Sequence, residues 1–156
     1  MLLAVAGAST AVPRARAQDA PIYLTVRDSA AHLYRSETSG YADATRLVVR
    51  DSAAWRTAWR TLHLGVPEPP LPLVDFRREM IVVAALGGRL LGGHAIAVDT
   101  VRRSGEEIEA VVRTTVPGER CPRRPAIVEP ADVVRVPRSE RAVAFTERRE
   151  VRADCR

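Results

Sequence analysis

The stretch Arg46–Val98, RLVVRDSAAWRTAWRTLHLGVPEPPLPLVDFRREMIVVAALGGRLLGGHAIAV, decides the fold. Leu47-Val48-Val49 reads as a short strand ending at Arg50. Asp51 is suited to be an N-cap, because its carboxylate accepts the orphan N–H groups of a first helical turn and matches the positive end of the helix dipole. From there Trp55, Ala58, Trp59 and Leu62 recur at i, i+3, i+4 and i+7, one apolar face of an α-helix, with Arg56 and Arg60 turned away. Gly65 is placed to end that helix in a left-handed conformation, and Pro67 prevents its resumption. Two tryptophans one turn apart anchor a helix on a sheet more simply than they form a ligand platform.

The crossing VPEPPLPL follows, with Pro67, Pro69, Pro70 and Pro72 favouring an extended, stiff path that delivers Val74 and Phe76 to the core. Met80–Leu86 (MIVVAAL) is apolar at every position, as a strand covered on both faces must be. It leads into Gly87-Gly88-Arg89-Leu90-Leu91-Gly92-Gly93, two glycine pairs around an arginine. The spacing matches no phosphate-binding loop, since neither Gly-Lys-Ser/Thr nor a helix follows. His94 then opens the alternating strand AIAVDTV.

Outward from this segment, Ile22–Arg27 alternates apolar and polar residues like a half-buried strand, and His32–Thr38 is a weaker strand. Arg102–Gly105 reads as a hairpin turn, with a return strand through Ile108, Ala110 and Val112 that Pro117-Gly118 breaks. Cys121–Pro130 reads as irregular. Val133–Pro137 and Ala142–Thr146 are the last two strands, and the turn Arg138–Arg141 offers to pair them. No internal repeat or domain boundary is visible. The expected architecture is α+β: a single domain in which a mostly antiparallel sheet packs against one amphipathic helix.

Composition narrows the function. The chain has 156 residues, enough for one core, and 46% apolar with 28% charged residues is ordinary for a folded soluble protein. Residues 1–17 read as a signal peptide: LLAVAGASTAV is an apolar run of the right length, and Ala15-Arg16-Ala17 supplies small residues for cleavage, although no basic residue precedes the run. Residues 18–156 then form the mature globular domain, exported to the periplasm or the medium. Loss of Arg14 and Arg16 with the leader lowers the formal charge from +5 to +3. Every basic residue is arginine, and the arginines alternate with Asp and Glu rather than forming a stripe. With 4% aromatic residues there are few stacking platforms, which argues against nucleic-acid binding. No later run approaches the ~18–20 apolar residues of a membrane span.

Cys121 and Cys155 lack the close spacing of a redox or zinc pair. A disulfide between them closes a loop of about 34 residues, worth roughly 3–4 kcal/mol, and pins the last strand. Two free thiols or an intermolecular bond are the alternatives.

Catalytic chemistry finds little support. The histidines His32, His63 and His94 fall on separate elements, the serines sit at caps and turns, and no Gly-x-Ser-x-Gly elbow occurs, so no catalytic residue is assigned. A metal would draw on His94 with Asp75 or Asp99, but no His-x-x-x-His or paired-cysteine spacing supports it, and neither metal nor cofactor is assigned. Recognition remains. Gly87, Gly88, Arg89, Gly92, Gly93 and His94 form the best surface for it, the glycines exposing backbone groups and Arg89 and His94 offering charge-assisted contacts.

The strand-helix unit RLVVRDSAAWRTAW, the VDFRREMIVVAALG strand, the GGHAIAVDTV turn-strand and the late PADVVRVPR segment together resemble the C-terminal domain of the PrcB-like protease-complex subunit family, over roughly Gly40–Phe145. His94 stands where that family usually has an aromatic residue. CPRRPAIVEPAD replaces a threonine- and glutamine-rich stretch ending in Pro-Tyr. The resemblance implies an exported, non-catalytic protein that binds a protein partner, as an accessory or stabilising subunit of an envelope or secreted protease. A protease inhibitor is the second version, and a small envelope hydrolase or metal-dependent enzyme is the rival of another class.

Overall fold

The computed structural model describes residues 31–122 and 124–153, and the backbone of 23–25. The expected leader, residues 1–17, and Cys155 lie outside them. The central element is β4 (Glu79–Ala85), preceded by β3 (Thr45–Val49) and α1 (Ser52–Leu62). Every residue from Met80 to Leu86 is buried, as a strand apolar on both faces requires. Its side chains divide by parity. Ile81, Val83 and Ala85 join Trp55, Ala58, Trp59 and Leu62 of α1 in one cluster. Met80, Val82, Ala84 and the following Leu86 join a second cluster on the other side.

That second cluster is where the architecture exceeds the expectation of one sheet. Two four-stranded sheets face each other across it. One has the order β2-β9-β4-β3, with β2 (His32–Ser36) and β9 (Ala131–Pro137), all neighbours antiparallel. The other has the order β1-β6-β7-β10, with β1 (Tyr23–Thr25), β6 (Ala95–Ser104), β7 (Glu107–Pro117) and β10 (Val143–Arg152). Ile96, Val98, Val101, Ile108, Ala110 and Val112 of β6 and β7 fill the space against Met80, Val82, Val134 and Val136. The layers are therefore helix, sheet, sheet. Strands remain mostly antiparallel and the class α+β, with β7–β10 the parallel exception.

The helix forms as its sequence dictates. Asp51 is extended (φ −145°, ψ 162°) and its carboxylate accepts the Ala54 N–H at 2.8 Å. At the other end the chain leaves at His63, Gly65 takes φ +84°, and the Thr61 carbonyl accepts the N–H groups of Gly40 and Leu64. The indoles also fix the proline-rich crossing: Trp55 donates to the Pro72 carbonyl at 3.1 Å and Trp59 to the Pro69 carbonyl at 3.0 Å. Carbonyls of a segment short of N–H donors thus find partners in the core-facing tryptophans. Asp75 shapes the entry to β4, its carbonyl accepting from both Arg78 and Glu79 at 2.8 Å.

Three local expectations are corrected. β6 continues to Ser104, so the hairpin turn is Gly105-Glu106, with Gly105 at φ +59°. The supposedly irregular Cys121–Pro130 contains β8 (Pro125–Val128), which pairs with β5 (Arg89–Leu91) as a separate two-stranded ribbon. The last two strands do not form a hairpin. Both edges of β9 are occupied, by β2 and β4, so β10 has no place beside it and pairs instead with β7, from Val143 opposite Ile108 to Arg152 opposite Pro117. Two arginines hold the crossing between the sheets. Arg50 donates to the carbonyls of Ser139 and Arg141 at 2.9 and 2.8 Å, and Arg138 donates to those of Phe76 and Arg50.

Because Trp59 is buried, packs at a tilt on His63 with ring centroids 4.3 Å apart and holds Pro69, Trp59→Ala lowers unfolding free energy by about 3–5 kcal/mol, read from urea denaturation.

Candidate partner-binding surface

The segment Gly87–His94 is anchored more firmly than its glycine content suggests. Gly87 sits at φ +76° against the backbone of Ala42–Ala44, and a Cβ there would lie 2.7 Å from the Ala44 nitrogen. The N–H of Gly88 donates to the Ala42 carbonyl at 2.8 Å. Between the glycine pairs, β5 runs beside β8, with Arg89 opposite Val128 and Leu91 opposite Pro125. Gly92 then donates to the Arg124 carbonyl at 3.1 Å, and Gly93 turns at φ +87° beside Pro117. The N–H groups of Gly88 and Gly92 are thus consumed within the fold. What the segment offers outward is side chains.

Those side chains are of two kinds. On the ribbon, Leu90 is 80% exposed and Ile127 is 73% exposed, whereas Val128 is buried. Alternation along β8 places Ile127 on the face opposite to Val128, and Arg89, the partner of Val128, leaves Leu90 on that same outward face. A ribbon one residue wide in apolar character therefore faces solvent.

The second kind is charge. His94 precedes β6 directly, and strand structure begins at Ala95. Burial, then the charges of Arg89 and Arg149, hold the His94 imidazole below its ordinary pKa. The strand register agrees for β10: Arg149 lies opposite Thr114, which pairs with Ile96, two residues beyond His94. Alternation along β10 puts Arg149 in phase with the partly buried Val143 and Phe145, on the edge of the sandwich interior. No sequence signal marked Arg149, because a charge at the frayed end of an apolar alternation looks like any exposed arginine.

A second polar cluster lies in the interior. Asp132 is fully buried. One oxygen lies 2.9 Å from His32 Nδ1 and 3.2 Å from Arg35 Nε; the other accepts Arg35 Nη2 at 3.0 Å and the Val98 N–H at 2.7 Å. Arg35 Nη2 also lies 3.1 Å from His32 Nδ1. Val98 immediately precedes the β-bulge in β6, where Val98 faces Val112 and Thr100 faces Val111. Asp132 thus satisfies an amide beside an irregularity and joins β2 and β9 to the opposite sheet. The signal was present in ADVVRVP: Asp132 is in phase with Val134 and Val136, which face the inter-sheet core.

The other polar residues weighed for chemistry are engaged elsewhere. Asp75 binds Arg77 at 3.1 Å, and Asp99 binds Arg113 at 2.9 Å. His63 Nδ1 lies 2.8 Å from the Trp59 carbonyl at the end of α1. Ser39 and Ser139 accept backbone N–H groups two residues on. Among the described residues no group of three His, Cys, Asp or Glu is arranged to hold a metal ion, and no helix is long and apolar enough to cross a membrane. Cys121 is buried with its sulfur 3.6 Å from the Arg152 carbonyl; its expected partner, Cys155, lies outside the described residues.

Removing the Asp132 carboxylate leaves His32, Arg35 and the Val98 amide without their acceptor. Asp132→Ala costs about 3–5 kcal/mol in chemical denaturation.

Residues 80–137, from β4 through β9, match the family model described as PrcB C-terminal, and this match supports assigning the chain to that family. No curated protein and no solved structure matches the chain.

Proposed function

We propose, from the PrcB C-terminal assignment, that this chain is an exported, single-domain, non-catalytic subunit that binds and stabilises an envelope or secreted protease. The family match supports a role connected with a protease complex. The observation that carries the binding reading is the β5–β8 ribbon. It stands apart from the two four-stranded sheets and holds Leu90 and Ile127 in solvent. Burying each against a partner is worth about 1.5–3 kcal/mol. Gly88 on Ala42 and Glu129 on Glu37 tie the ribbon to the fold, and Gly92 on Arg124 ties its two strands to each other, so little ordering opposes its docking.

Expressed with a tag in its own organism, the chain retains a protease in stoichiometric amount when purified from the envelope and the medium. The double variant Leu90→Asp/Ile127→Asp retains at least ten-fold less at unchanged thermal stability. Recovery of no protease, or equal capture by the variant, overturns the proposal.

Export also bears on the cysteines. We propose that Cys121 and Cys155 form a disulfide that fastens the end of β10. Cys121 already lies against Arg152, three residues before Cys155, and the Gly118 N–H donates to the Arg152 carbonyl at 3.1 Å. Denatured protein takes up no alkylating reagent before reduction and two equivalents after it, read by intact mass. Two equivalents before reduction remove the disulfide.

A further inference from the structure

At one end of the sandwich, where Gly87–His94 passes the end of β10, positive charge collects without a counter-charge. The acidic neighbours of Arg149 on its own strand are committed: Glu147 to Arg46 at 2.7 Å and Glu150 to Arg113 at 3.0 Å. Among the described residues Arg149 makes no ion pair, and Arg89 donates only to the carbonyl of Gly88, at 2.8 Å. Both charges act on His94. Nδ1 of His94 is the buried side-chain polar atom that, among the described residues, finds no hydrogen-bond partner. Leaving such an atom unmet costs free energy.

We infer that Arg89, His94 and Arg149 form a recognition site for a carboxylate on the bound protein, an acidic side chain or a chain terminus. Guanidinium groups present a planar fork that matches a carboxylate and makes charge-assisted hydrogen bonds to it. Burial, then the two arginine charges, lower the imidazole's affinity for a proton, and an arriving carboxylate acts in the opposite direction, favouring the protonated ring as a third charged partner. The inference rests on the protein-binding reading above and gives it a specificity: the partner segment that meets the ribbon carries an acidic group at this end.

The test needs only the purified full chain and short synthetic peptides, with the His94 ring followed by NMR. Three probes are titrated: a doubly blocked peptide with one glutamate, its glutamine counterpart, and a peptide whose only carboxylate is its free terminus. The glutamate or the free-terminus peptide shifts the His94 resonances saturably and raises the ring's titration midpoint, while the glutamine peptide leaves both unchanged. Which of the two carboxylates binds identifies the source. Arg89→Gln/Arg149→Gln, both changes at the surface, weakens that binding at least ten-fold. An equal response to the glutamine peptide, no response to either carboxylate, or unchanged affinity in the double variant overturns the inference. Carboxylate binding without a captured protease leaves the site standing and removes the protease-subunit reading. A protease captured equally by the double variant does the reverse.

Discussion

Everything in this molecule depends on β4 being covered twice. A strand with two apolar faces exposes about as much hydrophobic surface as two half-buried strands, and neither face tolerates water. One face is closed by a single helix, which covers it with two indoles rather than with length. Among the described residues no helix covers the other face, and a second sheet does. That requirement recruits the β6–β7 hairpin, whose inward residues are almost all valine, isoleucine and alanine.

Stacking two sheets raises a problem that stacking a helix on a sheet does not. Helices satisfy their own backbone, but a bulged strand leaves an amide pointing into the gap. Here the Val98 N–H is met by the carboxylate of Asp132 from the facing sheet. The charge so buried is then compensated by Arg35, with His32 beside it, both from the neighbouring strand. Such a cluster contributes less to net stability than its short distances suggest, because desolvation offsets the attraction. Its effect is to fix one register of sheet on sheet, since a slip of one residue would leave an aspartate and an amide unpaired in an apolar layer.

The parts legible in the sequence were those governed by local periodicity. α1, its Asp51 cap, the doubly buried Met80–Leu86 and the alternation of β6 and β7 all announce themselves within a dozen residues. The second sheet did not, because alternation states that a strand has one wet face, not which sheet it joins. The β9–β10 assignment failed for a related reason. Proximity in sequence favours a hairpin, but β9 was already flanked by β2 and β4, and only the full topology reveals that both its edges are taken. At the candidate surface, the glycine-rich segment and the pair Arg89 and His94 were legible. Arg149, fifty-five residues beyond His94 and on another element, was not. The glycines also changed meaning. Their spacing suggested exposed backbone, whereas Gly87 and Gly88 serve close approach to Ala42–Ala44, a use invisible without the neighbouring strand.

What distinguishes one end of the molecule from the rest is how its charge is disposed. A chain rich in arginine and bearing excess positive charge must leave some arginines unpaired. Most surplus is harmless: Arg56 and Arg60 stand exposed on the outer face of α1, where water screens them. Elsewhere the outer face of the second sheet sorts its charges into pairs, Arg102 with Glu109 and Arg113 with both Asp99 and Glu150, which blunts the exposed edge strand β10 against pairing with another chain. Arg149 is exposed in the same way, but it and Arg89 act on a half-buried imidazole. Two guanidinium charges bear on an imidazole whose buried nitrogen finds no partner among the described residues, so burial and charge both disfavour its protonated form. Folding alone gains nothing from that arrangement, since any one of these positions filled by a neutral residue would relieve it. The arrangement becomes favourable only when a negative group arrives from outside the chain, and its place beside the braced ribbon makes a bound protein the natural source.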